Sequence, residues 1–405
     1  MVVGIIGAGA SGMTAALWAA QNPNVQVILL ERQARVGRKL QATGNGRCNL
    51  SNENFHISHY HGEDPAFTAE VFRQFSVEDT LRWFSSLGLL TVTENSGKIY
   101  PYSDQANSVT DVLRLALHKD NISVRLGFEV EKIKASADGF VLESKEEKLF
   151  CHRLIMACGG LAGTKLGGTM AGYKLLSKLG HRSTKLRPNL VQIQSRWPAL
   201  SSLKGIRANC DVKILHNGEI YAQSRGEIQF TEQGLSGPVT FEISRDVCAA
   251  PGHWVAKIDF LPQWNEEQLM THLQARAESG YPLDDILTGV LHNRLGRVLT
   301  QCAGIKGKSY CNELSHREMT ELCKVVKVLE VELTEPMGME NAQVTAGGVL
   351  TADFDPVTLE SKRVPGLYAC GELLDVDGDC GGYNLQWAWS SGYVAGIHAG
   401  KDKND

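Results

Sequence analysis

The chain opens on a short apolar run, Val2-Val3-Gly4-Ile5-Ile6, which has the length and β-branching of a fully buried strand. Gly7-Ala8-Gly9-Ala10-Ser11-Gly12 follows as a tight turn, and Met13-Thr14-Ala15-Ala16-Leu17 as a helix of small residues. A second buried strand, Val25–Leu30, ends at Glu31, 19 residues past Gly12. Ser76 with Asp79 makes a capping box, and Val77, Leu81, Phe84 and Leu87 share one face, so a helix is predicted over 76–89. Another is predicted from Ser108, with Val109, Val112, Leu113, Ala116 and Leu117 as its stripe. Ile122–Leu126, Glu129–Ala135, Gly139–Ser144 and Arg153–Ala157 read as strands.

From about residue 187 the pattern shifts to polar and apolar positions in alternation, the texture of half-buried β-structure. Its clearest piece is a hairpin, Asp211–Leu215 and Glu219–Gln223 around a turn at Asn217-Gly218. Residues 265–305 read as helical, Ser315–Leu322 as a helix capped through Glu318, and Lys327–Leu333 as β-structure. The opening pattern resumes near 338. We therefore expect an α/β chain with a discontinuous first domain, 1–186 and 338–405. Inserted in it are a β-rich module on the substrate side, 187–262 and 310–337, and a helical module, 263–309. The polar tail Lys401–Asp405 is expected to fray.

Composition narrows the class. The 405 residues are 43% hydrophobic and 21% charged, as in an ordinary globular protein of two or three domains. A net charge of −4 favours neither nucleic acid nor an anionic membrane as a partner. No apolar run approaches the length of a membrane span, and the first strand leaves no room for a signal peptide, so a cytoplasmic location is expected. Ten scattered cysteines form no Cys-x-x-Cys pair, so they are expected to be reduced thiols, without a metal site. His181 and His316, near predicted helix ends, are expected at the surface. Glycine is the outlier. Of 41 glycines, 23 fall in the windows 1–50, 159–172 and 347–400, where the backbone is expected to approach something closely.

The first window says what that is. Strand, Gly-x-Gly-x-x-Gly, helix, strand and acid make a dinucleotide-binding unit. Gly7 permits the turn, Gly9 admits a pyrophosphate to the backbone, Gly12 lets helix and strand pack, and the N–H groups around Ala10 face the phosphates. A carboxylate at Glu31 suits ribose hydroxyls and would repel a 2′-phosphate, which points to FAD or NAD. The last window decides for FAD. Leu367–Cys370 is a strand leading into Gly371 and Glu372, an acid suited to ribityl hydroxyls. A helix start near Asn384 and Leu385 can then favour the negative charge of a reduced flavin. Between them, the loop Gly37–Asn52 offers Arg38 and Lys39 to phosphate, and Gly44, Asn45, Gly46, Cys48 and Asn49 as bare lining. Gly159 marks the mid-chain crossover.

These motifs resemble the BaiN/YhiN-like NAD(P)/FAD-dependent oxidoreductases, bacterial flavoproteins that include bile-acid-intermediate reductases and an aminoacetone oxidase. The resemblance rests on Gly7–Gly12, Gly37–Asn52, Gly97–Pro101, Ala157–Gly160, Gly226–Pro238, Val344–Val349 and Pro365–Gly396, and so spans nearly the whole chain. It implies a Rossmann-like FAD-binding domain of the glutathione-reductase and fumarate-reductase type, with β-rich and helical insertions. It also implies cofactor contacts at Ser11, Glu31, Arg32, Arg38, Lys39, Asn45, Asn49, Val130 (through its backbone), Glu372, Asn384 and Leu385. One departure is Ala171, where relatives often carry Asp.

Catalysis is less marked. A single dinucleotide fingerprint means that NAD(P)H would visit transiently as a co-substrate beside a tightly bound FAD. Tyr100 and Tyr383 are candidate proton donors, since a phenol keeps its proton at neutral pH. Cys48 has no partner thiol at redox spacing and reads as structural or cofactor-lining. The expected activity is NAD(P)H-dependent reduction of a small or medium organic acceptor by hydride transfer through flavin N5. The alternatives are an oxidase that uses O₂ on an amine or aminoketone, and a non-catalytic flavin-binding sensor or interaction protein.

Overall fold

Val3, Ile5, Val27, Leu29, Leu154 and Ile155 are almost wholly removed from solvent, because the strands that carry them are covered on both faces. In the computed structural model, which describes residues 1–401, these strands build a five-stranded parallel sheet. Its order is Leu367–Ala369, Arg153–Met156, Val2–Ile6, Gln26–Glu31 and Ile122–Leu126. The first and last strands of the chain's nucleotide-type pattern thus lie two places apart, joined through Arg153–Met156. The first helix, Ala10–Ala19, and the last, Tyr383–Gly400, pack on each other through small residues. A Cβ on Gly392, Gly396 or Gly400 would strike the backbone of Ser11, Ala15 or Ala19. Three glycines at four-residue spacing therefore let two helix backbones touch.

The chain divides into two compact units, Met1–Pro188 with Met339 onward, and Asn189–Gly338, each with its own apolar core. The second unit contains a closed six-stranded barrel, in the order 193–195, 234–236, 219–230, 207–216, 254–259 and 329–336. The Asn217-Gly218 hairpin is its longest antiparallel ladder, extending well past the predicted ends. The helices Glu266–Glu278 and Asn293–Cys302 share its core through Leu269, Leu273, Leu295 and Leu299.

Several local expectations shift. Ser76 and Asp79 do close a capping box, as do Ser315 and Glu318. The helix expected from Ser108 instead starts at Ala106, because the Ser108 hydroxyl is paired with Ser103. Glu129–Glu131 precede their strand, which is Lys132–Ser136. His316 is exposed, but His181 is buried: it stacks on Phe354 at 4.9 Å and lies 3.5 Å from the Asp353 carboxylate. Residues 402–405 of the expected frayed tail lie outside the described residues. No described helix is long and apolar enough to cross a membrane.

Candidate functional site

The first helix begins on Gly9 with no side-chain cap and no acid in its first turn. Its leading N–H groups are left for a ligand, and the dipole there favours an anion. A Cβ at Gly9 would meet nothing within 4 Å, so this backbone faces open space. Glu31 stands at the end of the neighbouring strand. Its carboxylate accepts from the N–H of Ala8 and of Gln33, each at 2.9 Å, which fixes it above the glycine turn. Gly12 lies so close to the Gly7 carbonyl that no side chain fits, the close packing expected of the third glycine.

The C-terminal segment closes on the same turn. A Cβ at Gly371 would strike the Ser11 hydroxyl, and the Gly371 N–H donates to Ser391 Oγ at 2.9 Å. Glu372 then reaches back to the Gly37–Asn52 loop: Lys39 Nζ donates to Glu372 Oε2 at 2.7 Å. Its other oxygen accepts from Thr345 N and Oγ1 at 2.9 Å, and Gly160 leaves no room for a side chain beside it. Residues from all three glycine windows thus meet at Glu372.

The last helix starts on Gly382, whose φ of 101° only glycine adopts easily. Gly382 is pressed against the Ser51 carbonyl and Asn49 Oδ1, and that Asn49 oxygen is buried without a hydrogen-bond partner. Asn384 braces the preceding turn, accepting from Gly378 N at 2.8 Å and donating to Gly378 O at 2.7 Å. Leu385 is half-buried beside it. A Cβ on Gly44 would crowd the Asn49 backbone nitrogen and touch the Tyr100 ring.

The other expected positions have the following surroundings. Arg32 donates to the Gly167 carbonyl at 2.9 Å, and Arg38 to Gln33 Oε1 at 2.7 Å. Asn45 and Gly46 are exposed in the left-handed region, Gly159 adjoins open space, and Val130 is buried. Ala171 begins a short helix, with its N–H donating to Thr169. Cys48 is wholly buried, and that burial pushes its thiol up to about 12. It is therefore a neutral packing group at physiological pH. Tyr100 is buried under the Arg47 guanidinium, 4.0 Å from its ring, and burial raises its pKa. Arg47 is itself held by Glu94 at 2.8 Å and by Asp104. The Tyr383 hydroxyl donates to the Asn54 carbonyl at 3.3 Å.

Sequence reasoning missed one cluster. His59 Nδ1 and His61 Nε2 both meet the Asp379 carboxylate, at 2.9 and 2.6 Å, beside the turn into the last helix. The available signal was His-x-His, a spacing that puts both side chains on one face of an extended strand.

The HI0933-like protein Rossmann domain model matches residues 1–398. The chain belongs to this HI0933-like family. It is an FAD-dependent oxidoreductase, as its motifs led us to expect. It is 40% identical to a 3-dehydro-bile acid delta(4,6)-reductase of Clostridium scindens, over 97% of this chain and 98% of that one. It is 32% identical to a ribosomal RNA dihydrouridine synthase of Escherichia coli, over 96% of each. Among solved structures, the 3-ketosteroid delta1-dehydrogenase of Sterolibacterium denitrificans shares the fold. Its TM-score is 0.51 at 12% identity, covering 98% of this chain and 99% of the other.

The residues present fit FAD. The uncapped helix start beside the open Gly9 backbone suits a pyrophosphate, and Glu31 keeps carboxylate lone pairs for ribose. The orphaned Asn49 oxygen at the lip of the last helix is a buried acceptor still in need of a donor.

Proposed function

We propose that this HI0933-family enzyme catalyses the NAD(P)H-dependent reduction of a carbon–carbon double bond conjugated to a carbonyl, in a small or medium organic acceptor. FAD, when bound, supplies hydride transfer through N5. The observation that carries this reading is the 40% identity, maintained along 97% of the chain, with a protein named as a bile-acid reductase. A 3-dehydro bile acid with ring unsaturation is a conjugated ketone. Dihydrouridine, named in the second relative, is uridine with its carbonyl-conjugated ring double bond saturated. One chemistry accommodates both names.

The protein's own part is to hold and shield. Gly9 and the first helix would bind the pyrophosphate, and Glu31 would orient the ribose. Glu372 is held in place by Lys39 and Thr345, ready to accept from a ribityl hydroxyl. The start of the last helix, uncapped and without an acid in its first turn, would offer its positive end to the flavin's pyrimidine edge and so favour the reduced state. A low-molecular-weight acceptor is preferred over RNA because most basic residues on and beside the barrel strands are matched by acids. Arg207 pairs with Glu227, Arg225 with Asp211, Lys204 with Glu232 and Lys257 with Glu330. Little uncompensated charge remains there for phosphates to displace.

The test is anaerobic mixing of the purified yellow holoenzyme with NADH or NADPH, followed at the flavin absorbance band. Rapid bleaching, reversed by an added conjugated enone, is the expected result. Absence of bleaching with both nucleotides would overturn the reductase reading. Peroxide formation from an amine without nicotinamide would replace it with an oxidase.

A further inference from the structure

His59, His61 and Asp379 form a cluster that the cofactor positions above leave unused. One carboxylate receives two imidazoles, at His59 Nδ1 and His61 Nε2. Burial works against the Asp379 carboxylate, but the hydrogen bonds from His61 and then His59 outweigh it and hold its pKa below the usual value. An ionised carboxylate can only accept, so each ring nitrogen facing it must carry a hydrogen. That settles the tautomers. Neutral His59 has its lone pair on Nε2 and neutral His61 on Nδ1, both turned away from Asp379.

The backbone holds this arrangement rigidly. Tyr60–His61 pairs with Asp377–Gly378 as an antiparallel ladder, and the Asp379 N–H donates to the His59 carbonyl at 2.9 Å. The His59 ring stacks on Tyr383, the first residue of the last helix, at 4.3 Å. Tyr60, which faces the same group, is buried and donates its hydroxyl to the Tyr383 carbonyl. The rings nevertheless stay accessible: 34% of the His59 side chain and 31% of His61 meet solvent. An oriented imidazole with a free, solvent-reachable nitrogen is the arrangement an acid–base group needs. The two tyrosines are less suited. Tyr383 directs its hydroxyl at Asn54, and Tyr100 is buried under Arg47.

We propose that His59 is the proton donor to the acceptor, with Asp379 as the residue that positions it and His61 as the second brace. This rests on the enone reading given above. Saturating the bond takes a hydride at the β carbon, supplied by FAD that NAD(P)H has reduced, and a proton at the α carbon. The proton leaves Nε2 of the His59 imidazolium, a C–H bond forms as the N–H bond breaks, and the neutral ring is reprotonated from solvent at its exposed edge. Two electrons and two hydrogens are added, and no other co-reactant is required.

The variants follow from the geometry. In His59→Asn the amide nitrogen takes the place of Nδ1, which keeps the bond to Asp379 and removes the outward nitrogen. His61→Gln likewise keeps its own bond. Dithionite-reduced holoenzyme is mixed anaerobically with cyclohexenone or testosterone, and flavin reoxidation is timed. His59→Asn should slow reoxidation roughly 100-fold, while FAD content and melting temperature stay at wild-type values. His61→Gln should cost only a few-fold. A wild-type rate in His59→Asn overturns the assignment. Wild-type enzyme reoxidised by neither enone overturns the enone reading itself, and this proposal with it. A second readout is independent of turnover. Nitrogen-15 NMR of the imidazoles should show His59 protonated at Nδ1, with that preference lost in Asp379→Asn. Protonation of neutral His59 at Nε2 would sink the positioning argument.

Discussion

The first and last helices begin alike: each starts on a glycine, with no side-chain cap and no acid in its first turn. The helices Val77–Ser86, Glu266–Glu278 and His316–Lys327 do the opposite, closing their leading N–H groups with complete capping boxes. A cap satisfies donors that a ligand would otherwise take, and these two ends leave theirs open. The helices Pro238–Ala249 and Ala106–Ala116 also start with neither cap nor acid, so an open start is a requirement for a cofactor end and not by itself its mark. Yet the two open ends are built differently. Gly9 stands in open space, whereas Gly382 is wedged against Ser51 and Asn49 in a left-handed conformation. The first end is specified by what is left out, the second by what presses on it.

Glycine-to-alanine substitutions separate these two designs most sharply. Gly12→Ala drives a Cβ into the Gly7 carbonyl, and Gly382→Ala drives one into the Ser51 carbonyl at an unfavourable φ. Backbone atoms cannot step aside as a side-chain end can, so each should cost about 3 kcal/mol or more and sharply reduce soluble yield. Gly9→Ala adds a methyl to empty space, so the apoprotein should melt within roughly a degree of wild type. Its FAD-to-protein ratio should nevertheless fall, because that space is the one we propose for the pyrophosphate. Thermal melts of apoprotein beside flavin absorbance of the same preparations check both halves. Unchanged FAD content in Gly9→Ala would remove the distinction.

Glu31→Ala should have the next largest effect. It strands the Ala8 and Gln33 N–H groups together with the ribose, so we expect about 2 kcal/mol of destabilisation and loss of bound FAD. Glu31→Gln retains one neutral acceptor and should fall between Ala and wild type. If Glu31→Ala kept its full FAD complement, the carboxylate would serve the turn alone.

How much of this could be read from the chain follows from the same contrast. The Gly7–Glu31 unit is local: strand, turn, helix and acid lie within 31 residues, and every spacing in it is a sequence spacing. The capping boxes at Ser76 and Ser315 were legible for the same reason. What stayed hidden depends on pairs far apart in the chain. Asp379 meets His59 across 320 residues, and Lys39 meets Glu372 across 333. That Lys39 reaches Glu372 could not be read from the chain, because the two belong to different glycine windows. His181 read as a surface residue because Phe354 and Asp353, which bury it, lie on another segment. The glycines of the last helix were legible as a cluster, but their fit onto Ser11, Ala15 and Ala19 needed the fold.

The smallest expected effect tests the opposite kind of helix start. Ser76 Oγ accepts from Asp79 N at 3.1 Å, and Asp79 Oδ2 accepts from Ser76 N at 2.9 Å. Ser76→Ala removes the first of these bonds and leaves a helix end with one orphaned donor. The expected cost is about 1 kcal/mol, read as a lowering of the unfolding midpoint by roughly 2 °C. FAD content should stay the same, because a capped helix start has no donors to offer a cofactor. A Ser76→Ala protein that loses FAD as readily as Gly9→Ala would mean that the capped helix start supports the cofactor as directly as the open one.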